Sequence, residues 1–495
     1  MNKELRKAIM ARTRLLNKHR KDNSTLSKIE YNKQRNICVK LLRKSKKDFY
    51  NNLNAKSITD SKSFWKTVKP SFSDKTLKNE TISLIENDKV ITEENEVVKI
   101  FDSHFSNVVQ NLDIENINCI SVSDDPVIEA IKSFENHPSI MKINTIFDTY
   151  IDLFRFQDVN LDDISREINN LDKSKACQEN DIPTKIIKEN CDIFAEHLLA
   201  DFNRSVNSNT FPDILKLADV RPIFKKEDRT DKCNYRPVSI LSNISKIYER
   251  CIYNQLYQYF DDILSKNQFG FRKGYSAQQC LLVMIEKLRH CADQGGAFGV
   301  LLTDLSKAFD KLANQLLIAK HYAYGVEISS LRFIFSYLSE RKQRVKLNNS
   351  YSPWSDIMFG VPQGSILGPL LFNIFISDLF LFLPDDIVSY ADDNTPYYTG
   401  KDTMEVLSAL ENKSEIMIKW FKDNSMKANP DKYHMILSDK NQCTITVGDE
   451  LVVSSDQEKL LGIKIDKELK FNLHVESLRK KASQKVNAFF ISHSS

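Results

Sequence analysis

The sequence predicts an α+β fold in which buried strands and apolar helices alternate along the chain. Residues 298–304 form an unbroken apolar run that ends at Asp304, which is typical of a buried central strand. Residues 386–390 and 395–399 favour two strands, and the acidic residues between them favour a hairpin turn. Residues 369–384 are almost wholly apolar and predict a buried helix.

The charge is unevenly distributed along the 495 residues, a length that suggests roughly two to four domains. Residues 1–70 carry 20 Lys or Arg against 5 Asp or Glu, a net charge of +15, on a helical pattern with a thin apolar stripe. Such asymmetry favours a basic helical arm that contacts nucleic acid, with an acidic membrane surface second. A solvated basic helix with no ligand is the alternative.

Residues 71–170 reverse the sign, with 8 Lys or Arg against 20 Asp or Glu. Two amphipathic helices are predicted, near residues 92–109 and 162–172, with an irregular Asn- and Ser-rich stretch between them. This region is interpreted as an acidic helical linker.

Nine scattered cysteines without a CxxC pair argue against a zinc ribbon and favour reduced thiols. The chain starts without the apolar segment of a secretory signal, and residues 369–384 are too short to span a bilayer. We therefore expect an intracellular protein, nuclear or cytoplasmic, that has no membrane partner. The sequence predicts no oligomeric state.

Two stretches could contact nucleotides. Lys225, Lys226 and Arg236 flank a polar loop and could bind a triphosphate, although in isolation a plain surface cluster of charges is the favoured explanation. Residues 268–274 interleave aromatic and basic residues with glycine, which suits stacking on a base and contacting phosphate.

The acidic residues suggest metal chemistry. An unpaired Asp304 at the end of a buried strand would be costly unless it were solvated or bound to metal. For Asp392-Asp393 alone, turn preference is a sufficient explanation. Together the three carboxylates could hold two Mg²⁺ ions, with Mn²⁺ as a substitute, and support phosphoryl transfer.

A loop and a helix follow the first acidic strand. Ser306 is predicted to cap a helix that includes Phe309. Residues 359–365 form a glycine-containing loop with Gln363 at its tip, and Pro369 then begins the apolar helix.

The order of these motifs resembles reverse transcriptases, most closely those of non-long-terminal-repeat retrotransposons of the jockey-like group. The resemblance covers about residues 171–490 and rests on the following motifs in sequence: NYRPVS at 234–239, QFGFRK at 268–273, LTD at 302–304 with AFD at 308–310, GVPQGS at 360–365, YADD at 390–393, NPDK at 429–432 and LLGI at 460–463.

The resemblance implies a right-hand polymerase with fingers, palm and thumb. It places the reverse transcriptase domain at residues 205–470, with fingers and palm, and the start of a truncated thumb at residues 471–495. The palm would be an antiparallel sheet with helices on one face. The family usually has glycine after the paired lysines, where this chain has Glu227.

The resemblance also assigns roles to single residues. Asp304, Asp392 and Asp393 would be the catalytic metal ligands. Lys432 would protonate the leaving pyrophosphate. The substrate-binding residues would be Lys225 and Arg236 on the triphosphate, Phe309 against a ribose 2′-hydroxyl, and Gln363 on nucleotide and template.

The predicted function is RNA-directed DNA synthesis, in which deoxynucleotides are joined to a primer 3′-hydroxyl on an RNA template. The expected partners are the RNA template, a DNA primer or target, and dNTPs. Two alternatives remain: a decayed retrotransposon fragment that binds nucleic acid without polymerising, and an RNA polymerase that copies RNA.

Overall fold

The computed structural model describes residues 3–22, 24–51, 82–106, 125–147, 153–173, 175, 177–178, 181–305, 308–357 and 360–494. The chain divides into two compact units: residues 1–80 together with 472–495, and residues 81–471. The predicted helix cap at Ser306 and the first residue of the glycine loop, Phe359, lie outside the described residues. So do residues 52–81, where the sequence changes from the basic arm to the acidic region.

The described residues of the first unit form three helices: α1 (Lys3–Asp22), α2 (Thr25–Asn51) and, from the C-terminal segment, α16 (Asn472–Ser494). The pair α1 and α2 forms a helical hairpin that buries Leu5, Ala8 and Cys38. The side-chain amide of Gln34 on α2 donates to the carbonyl of Ala8 on α1 (3.2 Å). The described residues before 52 are therefore helical, and the basic arm at residues 1–70 stays a prediction.

The second unit combines helices and strands. Its helices are α3 (Glu94–Ser106), α4 (Pro126–Ser133), α5 (Pro138–Phe147), α6 (Leu161–Asn170), α7 (Thr184–Glu189), α8 (Cys191–Asn207), α9 (Asn243–Phe260), α10 (Ala277–Asp293), α11 (Asn314–Ala323), α12 (Ile328–Leu338), α13 (Gly368–Ile376), α14 (Leu379–Phe382) and α15 (Thr403–Asp423). Its strands are β1 (Leu84–Glu86), β2 (Lys89–Ile91), β3 (Leu217–Phe224), β4 (Tyr235–Ile240), β5 (Ala297–Asp304), β6 (Arg341–Leu347), β7 (Ser350–Tyr351), β8 (Ser355–Ile357), β9 (Ile387–Tyr390), β10 (Asp393–Gly400), β11 (His434–Leu437), β12 (Thr444–Val447), β13 (Glu450–Ser455), β14 (Gln457–Leu460) and β15 (Ile463–Asp466). The mixed α+β class is as predicted.

The acidic region contains more regular structure than the sequence predicted. The two expected helices correspond to α3 and α6, and residues 107–109 lie outside the described residues. The stretch between them was predicted to be irregular, which was wrong where the structure describes it, because α4 and α5 lie there. The carboxylate of Asp125 caps α4 by accepting from the Val127 and Ile128 N–H groups.

The larger sheet has six strands in the order β12-β13-β11-β5-β10-β9, and all neighbours are antiparallel except β11 and β13. Helices were predicted on one face only, and this was wrong. Phe298, Val300 and Leu302 of β5 pack against α10, while Leu301 belongs to the core that includes α15. Because β5 is apolar on both sides, both faces must be covered.

The smaller sheet contains β4, β3, β6 and β7 in that order, with β8 paired to β6. Helix α3 covers one of its faces, where Phe101 packs against Tyr235 and Val220. The other face carries Arg236, whose strand position lies opposite Ile223.

The predicted helix at residues 369–384 is divided into α13 and α14. Asp378 lies between them and is fully buried, where it accepts from the Lys320 ammonium (2.5 Å) and the Trp420 ring N–H (2.7 Å). Burial lowers the pKa of Lys320 to about 8, against the opposing effect of Asp378. No helix in the described part of the chain combines the length and apolar character needed to cross a membrane. The eight cysteines that the described residues include are free thiols.

Candidate functional site

Sheet register brings two of the predicted carboxylates together. Asp304, the last residue of β5, lies directly opposite Asp393, the first residue of β10. Directly opposed residues of an antiparallel pair share one face, with Cβ atoms roughly 4.5–5.5 Å apart. The two side chains therefore occupy the same face at the same edge of the six-stranded sheet.

The third carboxylate lies in the adjoining turn. Tyr390 pairs with Asp393, so Ala391 and Asp392 form a two-residue hairpin turn, as the sequence predicted. Ala391 has a φ of +60°, a left-handed conformation that is unfavourable for a residue with a side chain. The side-chain amide of Asn394 donates to the Asp392 carbonyl (3.2 Å) and stabilises the turn.

The electrostatics of the turn favour a cation. Burial raises the pKa of Asp393 to about 6, and the neighbouring charge of Asp392 adds to the shift. Holding two carboxylates this close disfavours their joint ionisation unless positive charge is supplied.

The predicted general acid lies next to Asp304. Lys432 ends a 3-10 turn, Pro430–Lys432, that is fixed to β5 because the Asn429 N–H donates to the Asp304 carbonyl (3.0 Å). The Lys432 ammonium forms an ion pair with the Asp304 carboxylate. Sequence reasoning placed both residues in the site but did not predict this direct contact.

The cations of the smaller sheet and its loop lie close enough to Lys432 to influence its charge. The Lys225 N–H donates to the Asn234 carbonyl (2.8 Å), which closes the loop after β3 and sets Lys225 near Arg236 on β4. The pKa of Lys432 is lowered, first by burial and then by the charges of Lys225, Lys226 and Arg236. This coupling places the predicted triphosphate-binding group within electrostatic reach of the carboxylate edge.

Phe309 is held in an aromatic cluster. Its ring lies against Phe372 of α13, with centroids 4.8 Å apart, and meets the edge of Phe271 at 5.7 Å. Its carbonyl accepts from the Val361 N–H (3.0 Å). Phe309 lies in a 3-10 turn, Ala308–Lys311, rather than in the predicted helix, which begins only at Asn314.

The loop with Gln363 is fixed to the smaller sheet. The Gln363 carbonyl accepts from the Ser239 N–H on β4 (2.7 Å). Gly364 adopts a φ of +122°, and a Cβ there would come within 2.5 Å of the Ser239 carbonyl oxygen. The strand that carries Arg236 is thus joined to the loop that carries Gln363.

The carboxylates suit a hard divalent cation, since Mg²⁺ binds oxygen ligands and completes its shell with water and phosphate. Among the residues that the structure describes, no three or more His, Cys, Asp or Glu side chains are grouped as a preformed metal site. The positive charge next to Asp304 is instead the Lys432 ammonium. The site formed by Asp304, Asp392 and Asp393 therefore fits the ion chemically and stays a prediction as a metal centre.

One buried acid behind the site was not predicted. Glu249 on α9 is fully buried and accepts from the Ile366 N–H (2.6 Å) and the Tyr337 hydroxyl (3.0 Å). Burial raises its pKa. Its position between the buried residues Ile247 and Cys251 was the available signal, but an acid in an amphipathic helix is usually exposed.

One predicted phosphate contact is not available. Arg272, in the glycine loop at residues 268–274, is only 7% exposed. Its guanidinium donates to the Ser265 carbonyl (2.6 Å) and the Asp261 carboxylate (3.0 Å). The phosphate interpretation was therefore wrong for Arg272, because its donors close the end of α9 instead.

Comparison with known proteins identifies a matching family model and several relatives. Residues 224–465 match the family model described as reverse transcriptase (RNA-dependent DNA polymerase). The probable RNA-directed DNA polymerase from transposon BS of Drosophila melanogaster is 30% identical over 313 residues, which cover 59% of this chain and 34% of that protein. The RNA-directed DNA polymerase from mobile element jockey of Drosophila melanogaster is 28% identical over 344 residues, covering 66% and 37%.

The chain spans about a third of the length of these curated relatives. A solved apo telomerase from Candida tropicalis aligns over 60% of this chain and 62% of its own, at 12% identity and a TM-score of 0.37, a likeness too loose to bear on the fold. The chain is therefore similar over residues 224–465 to the reverse transcriptase family, and over a longer stretch to RNA-directed DNA polymerases of the jockey and BS elements of Drosophila melanogaster.

Proposed function

We propose that the chain is an RNA-directed DNA polymerase that adds dNTPs to a primer 3′-hydroxyl on an RNA template. The observation that carries the proposal is the direct register of Asp304 with Asp393, next to the Lys432 ion pair. A turn preference explains Asp392-Asp393 alone, but it does not explain why a third acid should lie opposite them on a buried strand.

The right-hand architecture belongs to this proposal. The six-stranded sheet would be the palm and the smaller sheet the fingers, within the domain at residues 205–470. Helix α16 would begin the thumb at residues 471–495. Support comes from the placement of the acids on the larger sheet and of Lys225 and Arg236 on the smaller one.

In the reaction, the primer 3′-oxygen attacks the α-phosphorus of the dNTP, and the bond from that phosphorus to the β-phosphate oxygen breaks. Asp304, Asp392 and Asp393 would hold two Mg²⁺ ions, or Mn²⁺ in their place. When bound, such ions lower the pKa of the attacking hydroxyl and neutralise charge on the leaving oxygen.

The other residues of the site bind, orient and transfer a proton. Lys225 and Arg236 would bind the triphosphate, Arg236 with two parallel donors. Lys432, whose pKa is lowered by burial and by the fingers cations, would give its proton to the departing pyrophosphate. Phe309 would exclude a ribose 2′-hydroxyl by its bulk, and Gln363 would contact nucleotide and template.

A primer-extension assay tests the proposal with purified full chain, a DNA primer on an RNA template, and Mg²⁺ or Mn²⁺. We expect labelled DNA product that Asp304→Asn abolishes. Template binding without extension under either metal would instead support the binding-only alternative. Equal use of rNTPs and dNTPs would support an RNA polymerase.

We further propose that the basic arm binds the RNA template or the DNA target, in the nucleus or cytoplasm. The support is the net charge of +15 on residues 1–70, of which the described part forms an exposed helical hairpin. Removing residues 1–70 should weaken RNA binding and flatten its dependence on salt, because fewer counterions are released. Binding that deletion and salt leave unchanged would overturn this proposal.

A further inference from the structure

The segment at residues 267–271 runs alongside the end of β9 and meets the catalytic turn. The Phe269 N–H donates to the Ser389 carbonyl (2.8 Å), and the Ser389 N–H donates to the Asn267 carbonyl (3.0 Å). At Gly270 the two backbones touch, since a Cβ there would lie 2.2 Å from the Ala391 nitrogen and 2.9 Å from its Cα. No side chain fits at position 270 unless the turn moves.

A buried amide fixes this segment from the opposite side. Asn373 on α13 is 1% exposed, and its side-chain nitrogen donates to the Gly270 carbonyl (2.7 Å). In return, the Gln268 side chain donates to the Asn373 carbonyl (2.8 Å). The segment is therefore held between α13 and the turn.

We propose that Gly270 and Asn373 are positioning residues that hold Ala391 in its left-handed conformation and so place Asp392 and Asp393 for metal binding. Neither residue touches substrate in this role. The catalytic consequence rests on the proposed polymerase function, whereas the placement of the two carboxylates does not.

The physical argument begins with Ala391. A left-handed alanine is unfavourable by itself and persists only where its surroundings enforce it. The contact with Gly270 is between backbone atoms, which cannot change rotamer to make room. Asn373 prevents Gly270 from backing away, because its amide holds the Gly270 carbonyl. Any shift at position 270 is thus passed to the residue before Asp392.

The same segment also reaches Phe309. Phe271, with a φ of +58°, forms a T-shaped ring contact with Phe309, with centroids 5.7 Å apart. One short segment thereby contacts both the metal-binding turn and the ring assigned to sugar selection. Because the segment contacts both groups, its backbone must hold a defined position.

The test compares Gly270→Ala with Gly274→Ala in the full chain. Gly270 lies outside the left-handed region, so alanine there adds only the collision with Ala391. Gly274 has a φ of +79° with nothing within 4 Å of a Cβ, so alanine there adds only backbone strain. The control thus perturbs the same loop without reaching the turn.

The measured quantity is the binding of Mn²⁺ alone to the chain. It is monitored through the loss of the free-ion signal in electron paramagnetic resonance. Specific binding is the part that Asp393→Asn removes. We expect Gly270→Ala to weaken that part about tenfold, as supporting residues around metal sites do, while Gly274→Ala leaves it unchanged. Equal binding by Gly270→Ala and wild type, or equal weakening by both glycine variants, would overturn the proposal.

A second pair tests the amide and covers the case in which Gly270→Ala does not fold. Asn373→Ala is compared with Asn424→Ala, since Asn424 is equally buried and donates to Ser139 and to the Trp420 carbonyl, away from the turn. Asn373→Ala should weaken specific Mn²⁺ binding and Asn424→Ala should not. Unchanged binding in Asn373→Ala would contradict the role of α13.

Primer extension on the same preparations separates the two proposals. Wild-type chain with specific Mn²⁺ binding but no DNA product would reject the polymerase function and leave the positioning role intact. Wild-type chain without specific Mn²⁺ binding would reject the positioning role itself.

Discussion

The two sheets of the second unit carry opposite charges and hold them differently. Asp304 ends β5 and Asp393 begins β10, two adjacent strands of the six-stranded sheet that have neighbours on both sides, and the Asp304 side chain is only 18% exposed. Lys225 and Arg236 lie where β3 and β4 meet the connecting loop, and both are exposed. The distance between the acids is set by sheet register, whereas that between the cations depends on long, solvated side chains.

This difference matches the tasks we propose. Metal ligands must keep a spacing within a fraction of an ångström, which a buried strand pair can enforce. A triphosphate that enters and leaves is better served by side chains that reorder around it, at some cost in entropy. We therefore expect substitutions on the acidic edge to affect the rate of chemistry, and substitutions on the smaller sheet to affect substrate affinity.

Asp304→Asn should give the largest effect in the molecule. Loss of one ligand charge on the rigid edge removes a contact made to the reacting groups, so kcat in primer extension should fall at least ~10³-fold. Asp386→Asn is the matched control. Asp386 directly precedes β9 of the same hairpin, at the end away from the turn, and forms an ion pair with Lys413. A comparable loss of rate in Asp386→Asn would show that any charge change in the hairpin is harmful.

Phe309→Val should have the next largest effect, on sugar choice. Removing ring volume should raise rNTP use relative to dNTP use about 10- to 100-fold, the range that one steric contact in a pocket supplies. Competition between labelled rNTPs and dNTPs measures the ratio. Phe309→Tyr keeps the bulk and should retain discrimination, and unchanged sugar choice in Phe309→Val would remove Phe309 from this role.

The acidic edge was largely predictable because its signals are local. An unbroken apolar run gave the strand that ends at Asp304, and turn residues between strand formers gave the hairpin at Asp392-Asp393. The local sequence could not predict which residues from distant segments each side chain contacts. Glu249 and Arg272 are charged residues that lie buried against backbone groups of other segments. The hydrophobic periodicity of the sequence does not predict such contacts.

Glu227 shows an intermediate case in the smaller sheet. The family resemblance flagged it as a position where glycine is usual, and its φ is +70°. Glycine adopts that conformation without strain, so backbone geometry explains why the family usually has glycine here, and Glu227 takes up the same conformation less favourably in an exposed loop. Sequence comparison located the position, and only the structure supplied its physical reason.

Arg236→Ala should show how a substitution among the exposed cations of the smaller sheet affects substrate affinity. We expect KM for dNTPs to rise about tenfold, with a smaller change in kcat, because a charge-assisted contact to the triphosphate is lost. Steady-state kinetics at fixed primer-template measures the split. Lys342→Ala is the control, since Lys342 is an exposed cation on β6 that pairs with Asp356. A fall in kcat alone would place Arg236 with the rigid catalytic edge.

The smallest expected effect is on stability, and it concerns Asp393. Burial and the charge of Asp392 raise its pKa in the folded chain to about 6, above the ordinary value of 3.8. A group whose folded-state pKa is raised contributes stability at low pH, and that contribution is lost as the pH rises through about 6. Wild-type chain without metal should therefore lose stability relative to Asp393→Asn between about pH 4 and pH 7.

The size of this loss is limited by the partial solvent access of the carboxyl group. Allowing for screening, Asp393→Asn should be more stable than wild type by about 1–2 kcal/mol at pH 7.5 with a chelator present. Thermal unfolding across the pH range measures the difference. Saturating Mg²⁺ should reverse the order, because an ion that binds only the folded wild type stabilises it. If Asp393→Asn is more stable than wild type both with and without Mg²⁺, the unfavourable burial of the Asp393 carboxylate does not serve metal binding. The acidic edge would then not differ in function from the smaller sheet in the way we propose.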